Sequence, residues 1–135
     1  MANISQVGDL NHVDLGQQGD SDALNITQDG NDFVNGLQMG TGEGSMATIQ
    51  QNDGANSAYI NQRGEFNELT ITQGGGDNRA EVSQYDEGSM ANVIQYGTGN
   101  ESQTVQSGGV FGASNSLLVE QTGTNNLSIV HQNGN

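Results

Sequence analysis

The chain has 135 residues and a formal net charge of −14 at pH 7, with 31% hydrophobic and 4% aromatic residues and no cysteine, proline or tryptophan. Glycine (21), asparagine (17) and glutamine (15) exceed a third of it, which argues against a conventional apolar core. Lack of cysteine excludes disulfides and thiolate chemistry, and with Arg63 and Arg79 as the fixed cations the chain cannot neutralise a run of phosphates, so nucleic-acid binding is not expected.

The strands announce themselves through a recurring glutamine, at Gln6, Gln17, Gln28, Gln38, Gln51, Gln62, Gln73, Gln84, Gln95, Gln106, Gln121 and Gln132. Each closes a seven-residue frame that starts on Asn, Asp or Ser and alternates apolar with polar positions. Such a period of two predicts a strand. In chain order the frames turn inward Ile4; then Val13 and Leu15 after Asn11; Leu24 and Ile26 after Asp22; and Val34 with Gly36 after Asp32. Next come Ile49 after Ser45, Ile60 after Asn56, Leu69 and Ile71 after Asn67, Val82 after Asn78, and Val93 after Ser89. The frame from Asn100 presents only Ser102 and Thr104, that from Asn115 presents Leu117 and Val119, and that from Asn126 presents Ser128 and Val130, leaving Leu127 and Ile129 outside. Those fifteen aliphatics are the expected core, with large pairs on one wall against smaller residues on the other.

Between frames lie turns of about four residues rich in Gly, Asp and Asn, residues that tolerate positive φ. Two connections are longer, 39–44 and 107–114, and are expected to bulge outward without shifting the strand frame. Twelve strands so joined could form an antiparallel meander or a solenoid with two strands per rung of about 22 residues. Frames two apart resemble each other more than neighbours do, which favours an all-β solenoid of six rungs, about 29 Å tall at the usual strand spacing.

Aliphatic burial is sparse for such a structure, so the backbone ladder and columns of stacked Asn and Gln amides are expected to contribute much of the cohesion. Asp22 and Asp32 interrupt the Asn positions, and ionised carboxylates there are expected to pair loosely or to sit where water reaches them. Residues 1–135 read as a single repeat domain with no cap at either end; open end rungs predict head-to-tail stacking into an open filament. No basic-then-apolar segment opens the sequence as a secretory signal would, so the expectation is a chain already processed or targeted in another way.

The units Ser/Asn-x5-Gln followed by a Gly-containing turn, best seen across Asn67 to Gln84 and Ser89 to Gln106, resemble the curlin repeat of bacterial curli fibre subunits, and the likeness runs from Ala2 to Gln132. The resemblance implies an extracellular cell-surface amyloid fibre for biofilm matrix and adhesion. It implies as partners further copies of the chain, a homologous nucleator and a secretion pore; membrane insertion is not expected, because the apolar runs are only a few residues long, far short of the roughly 20 that span a bilayer. Residue by residue it carries stacking roles onto the twelve glutamines, onto Asn11, Asn56, Asn67, Asn78, Asn100, Asn115 and Asn126, and onto Ser45 and Ser89.

No catalytic, cofactor or metal site is expected. His12 and His131 stand apart at outward positions, and the 16 carboxylates scatter without the paired geometry of a glycosidase or the loop of a calcium site. Residues 74–79 put Arg79 where a calcium-binding nonapeptide needs an acid, so they read as a turn. Arg63 and Arg79 are expected to pair with carboxylates such as Glu65 or Glu81. The alternative function is a monomeric β-solenoid that binds ice or carbohydrate. It would need a regular outward array, whereas the outward pairs run Asn25/Thr27, Thr48/Gln50, Thr70/Thr72, Asn92/Ile94 and Leu118/Glu120. The acidity is expected to slow pairing at neutral pH, with assembly accelerating towards the carboxylate pKa values near 4.

Overall fold

Alternating apolar and polar residues, punctuated every eleven or so positions by residues able to reverse the chain, give strands, with no helix among the described residues. The computed structural model describes residues 1–108 and 114–134, with 40–43 described by their backbone alone. The strands are β1 (Ala2–Val7), β2 (His12–Asp20), β3 (Ala23–Asp29), β4 (Phe33–Glu43), β5 (Met46–Asn52) and β6 (Ser57–Arg63), followed by β7 (Glu68–Gly76), β8 (Arg79–Gln84), β9 (Met90–Thr98), β10 (Glu101–Ser107), β11 (Ser116–Thr124) and β12 (Leu127–Asn133). Odd strands form one six-stranded sheet in the order β1-β3-β5-β7-β9-β11, and even strands form the other, β12-β10-β8-β6-β4-β2. Each strand pairs in parallel with the strand two further on, so the chain is a β-solenoid of six rungs.

Register follows the glutamines. Gln6, Gln28, Gln51, Gln73, Gln95 and Gln121 align across the odd sheet, and Gln17, Gln38, Gln62, Gln84, Gln106 and Gln132 align across the even one. A one-residue slip would turn every inward side chain out, and the frames of β4, β10 and β12 hold despite their weaker patterns. In β12, Leu127 and Ile129 stay outside at 65% and 58% exposure. In β4, a Cβ on Gly36 would lie 2.2 Å from the Ile60 carbonyl oxygen, so the inward slot admits only glycine.

The core is one cluster between the sheets. Leu24, Ile26, Val34, Ile49, Ile60, Leu69, Ile71, Val82, Val93 and Val119 are buried with Ala47, Ala58, Ala80 and Ala91, while Val13, Leu15, Leu117 and Val130 pack against them half-buried. Ile4 departs from the expected core: it aligns with Ile26 but is 51% exposed, because its rung has no neighbour on one side. The picture of a large wall facing a small one also needs correction. In the odd sheet the first inward column alternates along the axis, as Ala2, Leu24, Ala47, Leu69, Ala91 and Leu117. Each large residue there is flanked by small ones on the adjoining rungs, which lets side chains interdigitate at native density.

Of the two longer connections, the first is not a free loop: β4 continues through it to Glu43, which pairs with Asp20 past a register shift between Gln18 and Asp20. Strand pairing resumes in frame at Ala23 and Met46. The second spans 107–114, most of which lies outside the described residues. The turn glycines have a stricter role than freedom alone. At Gly97, with φ +113°, an added Cβ would come 2.0 Å from the Gly123 carbonyl oxygen, so successive turns stack backbone on backbone.

Candidate functional site

A glutamine at the end of a strand has a side chain long enough to cross part of the narrow interior. In the odd sheet Gln6 Nε2 donates to Gln28 Oε1 (2.7 Å), and the chain of bonds continues through Gln51 (3.1 Å), Gln73 (2.8 Å), Gln95 (2.9 Å) and Gln121 (2.7 Å). In the even sheet it runs from Gln17 through Gln38 (3.0 Å), Gln62 (3.1 Å), Gln84 (2.9 Å) and Gln106 (3.0 Å) to Gln132 (3.1 Å). Every one of these amides donates towards the C-terminal rung.

The sense is set by a second bond of the same nitrogen, which reaches the opposite sheet. Gln51 Nε2 donates to Phe33 O (3.3 Å), Gln73 Nε2 to Ser57 O (3.1 Å) and Gln95 Nε2 to Arg79 O (3.1 Å). A carbonyl can only accept, so the amide cannot turn over without losing a bond. The glutamines therefore tie rung to rung and sheet to sheet. The seven-residue frame shows that glutamines stack; it does not show the cross-sheet bond, which depends on how closely the sheets approach.

The residue opening each frame forms a second kind of column with the reverse sense. Asn56, Asn78, Asn100 and Asn126 each donate Nδ2 to the Oδ1 of the preceding member, at 3.2, 3.1, 3.0 and 2.9 Å. Their backbone N–H groups donate to the same oxygens. Nδ2 also meets the turns: in Asn78 it reaches Gly74 O (3.2 Å) and Gly97 O (3.1 Å). Asn11 begins this column, its Oδ1 accepting the Asp32 N–H at 2.9 Å. The other frame-opening column is mixed. Ser45 N–H donates to Asp22 Oδ1 (2.9 Å), Asn67 N–H to Ser45 Oγ (3.3 Å) and Ser89 N–H to Asn67 Oδ1 (3.0 Å). Asn115, the next of that set, is tied to Asp86 Oδ2 through its Nδ2 at 2.7 Å.

Asp22 and Asp32 do not lie where water reaches them: they are 2% and 1% exposed, and each has an Oδ2 buried without a partner. They occupy the ladder itself, because the shape of an Asn slot accepts the isosteric Asp. Asp86 is a third buried carboxylate, in a turn that lies outside the seven-residue frames.

The outer faces carry no such regularity. His12 stays exposed and stacks on Phe33 with ring centroids 5.3 Å apart, and Phe33 meets Tyr59 at 5.6 Å. Arg79 pairs at 2.9 Å with both Glu81 and Glu101, its guanidinium 5.1 Å from the Tyr59 ring centre. Arg63 hydrogen-bonds Asn61 Oδ1 (3.3 Å) beside the Tyr85 ring.

With these columns in view, the segment 54–85 matches a family model, the curlin associated repeat. The chain carries a curlin repeat at 54–85. The matched segment holds β6, β7 and β8, and with them Asn56, Gln62, Asn67, Gln73, Asn78 and Gln84. No curated protein and no solved structure matches the chain. The curlin repeat belongs to structural, non-enzymatic fibre proteins, and this solenoid with its stacked amides fits a curli-like structural subunit.

The two ends of the columns differ. Among the described residues no side chain donates to Oε1 of Gln6 or Gln17, and Gln132 Nε2 has no acceptor. Around β11 and β12 lies a shallow hollow of about 480 Å³, lined by Leu118, Val119, Gln121, Leu127, Ser128 and Val130 among others.

Proposed function

We propose that this chain is the subunit of an extracellular, curli-like amyloid fibre, built by stacking identical chains end to end. One observation carries the reading: each glutamine column keeps one sense through all six rungs, the asparagine column keeps the opposite one, and both finish with complementary groups. A second copy placed on β11 and β12 would offer Gln6 Oε1 to Gln121 and Gln17 Oε1 to Gln132. It would also offer the Asn11 N–H to Asn126 Oδ1. Its Ile4, Val13 and Leu15 would meet Leu117, Val119 and Val130, extending the core across the joint. Opposite approach would set acceptor against acceptor or donor against donor, so one polarity is selected. A head-to-tail contact that does not close gives a filament, and each joint would bury apolar surface as well as pair two strand edges.

A biofilm and adhesion role, with a homologous nucleator and a secretion pore as partners, follows from the family likeness. The stacking residues on this reading are the glutamine, asparagine and serine columns, with a single domain over 1–135. The test is seeded growth. Purified chain should elongate sonicated seeds in proportion to its concentration, and Ile4→Pro, which removes an N–H from β1 and breaks its edge, should stop elongation while leaving β-rich circular dichroism. Unaltered elongation by Ile4→Pro, or a wild-type chain that stays monomeric with seeds present, refutes the reading.

A further inference from the structure

The column that begins at Asn11 has one member that is not an amide. Asn56, Asn78 and Asn100 each divide the side chain between two tasks: Oδ1 accepts from the following rung, and Nδ2 donates to carbonyls of two turns. For Asn56 those carbonyls are Asn52 O at 3.1 Å and Gly75 O at 3.0 Å. Asp32 performs the first task, its Oδ1 accepting the Asn56 N–H at 3.0 Å and Nδ2 at 3.2 Å. Its Oδ2 takes the place of the donor. It is buried without a partner, and the repeat sets it towards the carbonyls of Gln28 and Gly54, the counterparts of Asn52 and Gly75. An ionised carboxylate there turns anionic oxygen on carbonyl oxygen; a carboxylic acid has an O–H to donate.

We propose that Asp32 completes its rung only as the carboxylic acid, so that one buried proton latches the two N-terminal rungs to the rest of the solenoid. Those rungs hold Gln6 and Gln17, so the latch rests on the stacking reading for its effect on growth, while the latch itself belongs to the single chain. The titratable groups around it are Asp29 in its own turn, Asp9 and His12 on the preceding rung and Asp53 on the following one. The His12 imidazole is turned outward onto Phe33. Burial pushes the Asp32 carboxyl above its ordinary value of 3.8; the N–H groups of Asn56 and the backbone N–H of Asp29 oppose the rise, and the Asp29 charge adds to it. A folded pKa above the unfolded one gives stability that is complete below about pH 4 and is lost as pH climbs through the raised value.

Hydrogen exchange on the soluble full-length chain, corrected for intrinsic rates and compared at about pH 5 and pH 8, separates this from general charge repulsion, since tenfold in protection corresponds to one pKa unit. In the wild type, protection of β1–β4 should fall at least about tenfold relative to β7–β10 between the two pH values. Asp32→Asn should abolish that difference. Asp77→Asn, which removes the same charge from an exposed turn position, should preserve it. Equal pH dependence in wild type and Asp32→Asn overturns the latch, as does an Asp32 carboxyl carbon resonance in the ionised range at pH 5. Growth that fails with seeds while the exchange result holds refutes the stacking and leaves the latch standing.

Discussion

Replacing Gln73 by methionine keeps the volume of a buried side chain and removes its polar atoms. Three bonds go with them: from Gln51 Nε2 at 2.8 Å, to Gln95 Oε1 at 2.9 Å and to Ser57 O at 3.1 Å. At about 1 kcal/mol each this is about 3 kcal/mol, and the Gln95 Oε1 left buried without a donor adds about 1–3 kcal/mol. Burial of the thioether chain returns about 1–2 kcal/mol, leaving a net loss of about 2–5 kcal/mol. Gln132→Met is the comparison, since Gln132 is half-buried and accepts one bond, from Gln106 Nε2 at 3.1 Å. Its loss should be about 1 kcal/mol. Urea unfolding of the soluble chain, followed by far-ultraviolet circular dichroism, measures both. Equal losses, or a loss below about 1 kcal/mol for Gln73→Met, would show that the amide columns do not hold the rungs.

Two neighbouring glycines should behave oppositely. Gly97→Ala places a Cβ 2.0 Å from the Gly123 oxygen at φ +113° and should lose more than about 2 kcal/mol, whereas Gly76→Ala meets nothing within 4 Å and should stay within about 0.5 kcal/mol in the same urea assay. Phe66 is exposed and held at φ +57°, so Phe66→Asn should gain about 0.5–1 kcal/mol, seen as a higher unfolding midpoint. Asn78→Asp puts a carboxylate where Nδ2 donates to Gly74 O, Gly97 O and Asn56 Oδ1. Burial raises such a carboxyl's pKa, so the variant should match wild type near pH 4 and fall behind as pH rises; a loss that is constant across a pH series of midpoints would contradict this.

Strand positions and register were legible in the residues because alternation, turn composition and the glutamine spacing all point to one frame. Even β12, with Leu127 and Ile129 outside, kept the frame that Gln132 dictates. What escaped depends on the third dimension. The cross-sheet bond of each glutamine is set by the distance between sheets, and the alternation of Ala47, Leu69 and Ala91 along the axis becomes visible only once rungs are stacked. The burial of Asp22 and Asp32 contradicted the rule that lone carboxylates seek water, because an Asn-shaped slot in a repeat outweighs it. The stacking of His12 on Phe33 joins residues 21 positions apart on adjoining rungs, a neighbour relation that a period of two along one strand does not reveal.

A cryo-electron microscopy reconstruction of fibres grown from the purified chain tests the stacked solenoid most directly. The expected map has an axial subunit repeat of about 29 Å, built from strands about 4.8 Å apart, with every chain pointing the same way and Gln132 beside Gln17 of the next copy. Fibres with alternating subunit polarity, strands running along the axis, or a joint that leaves Gln132 and Gln17 apart would contradict it.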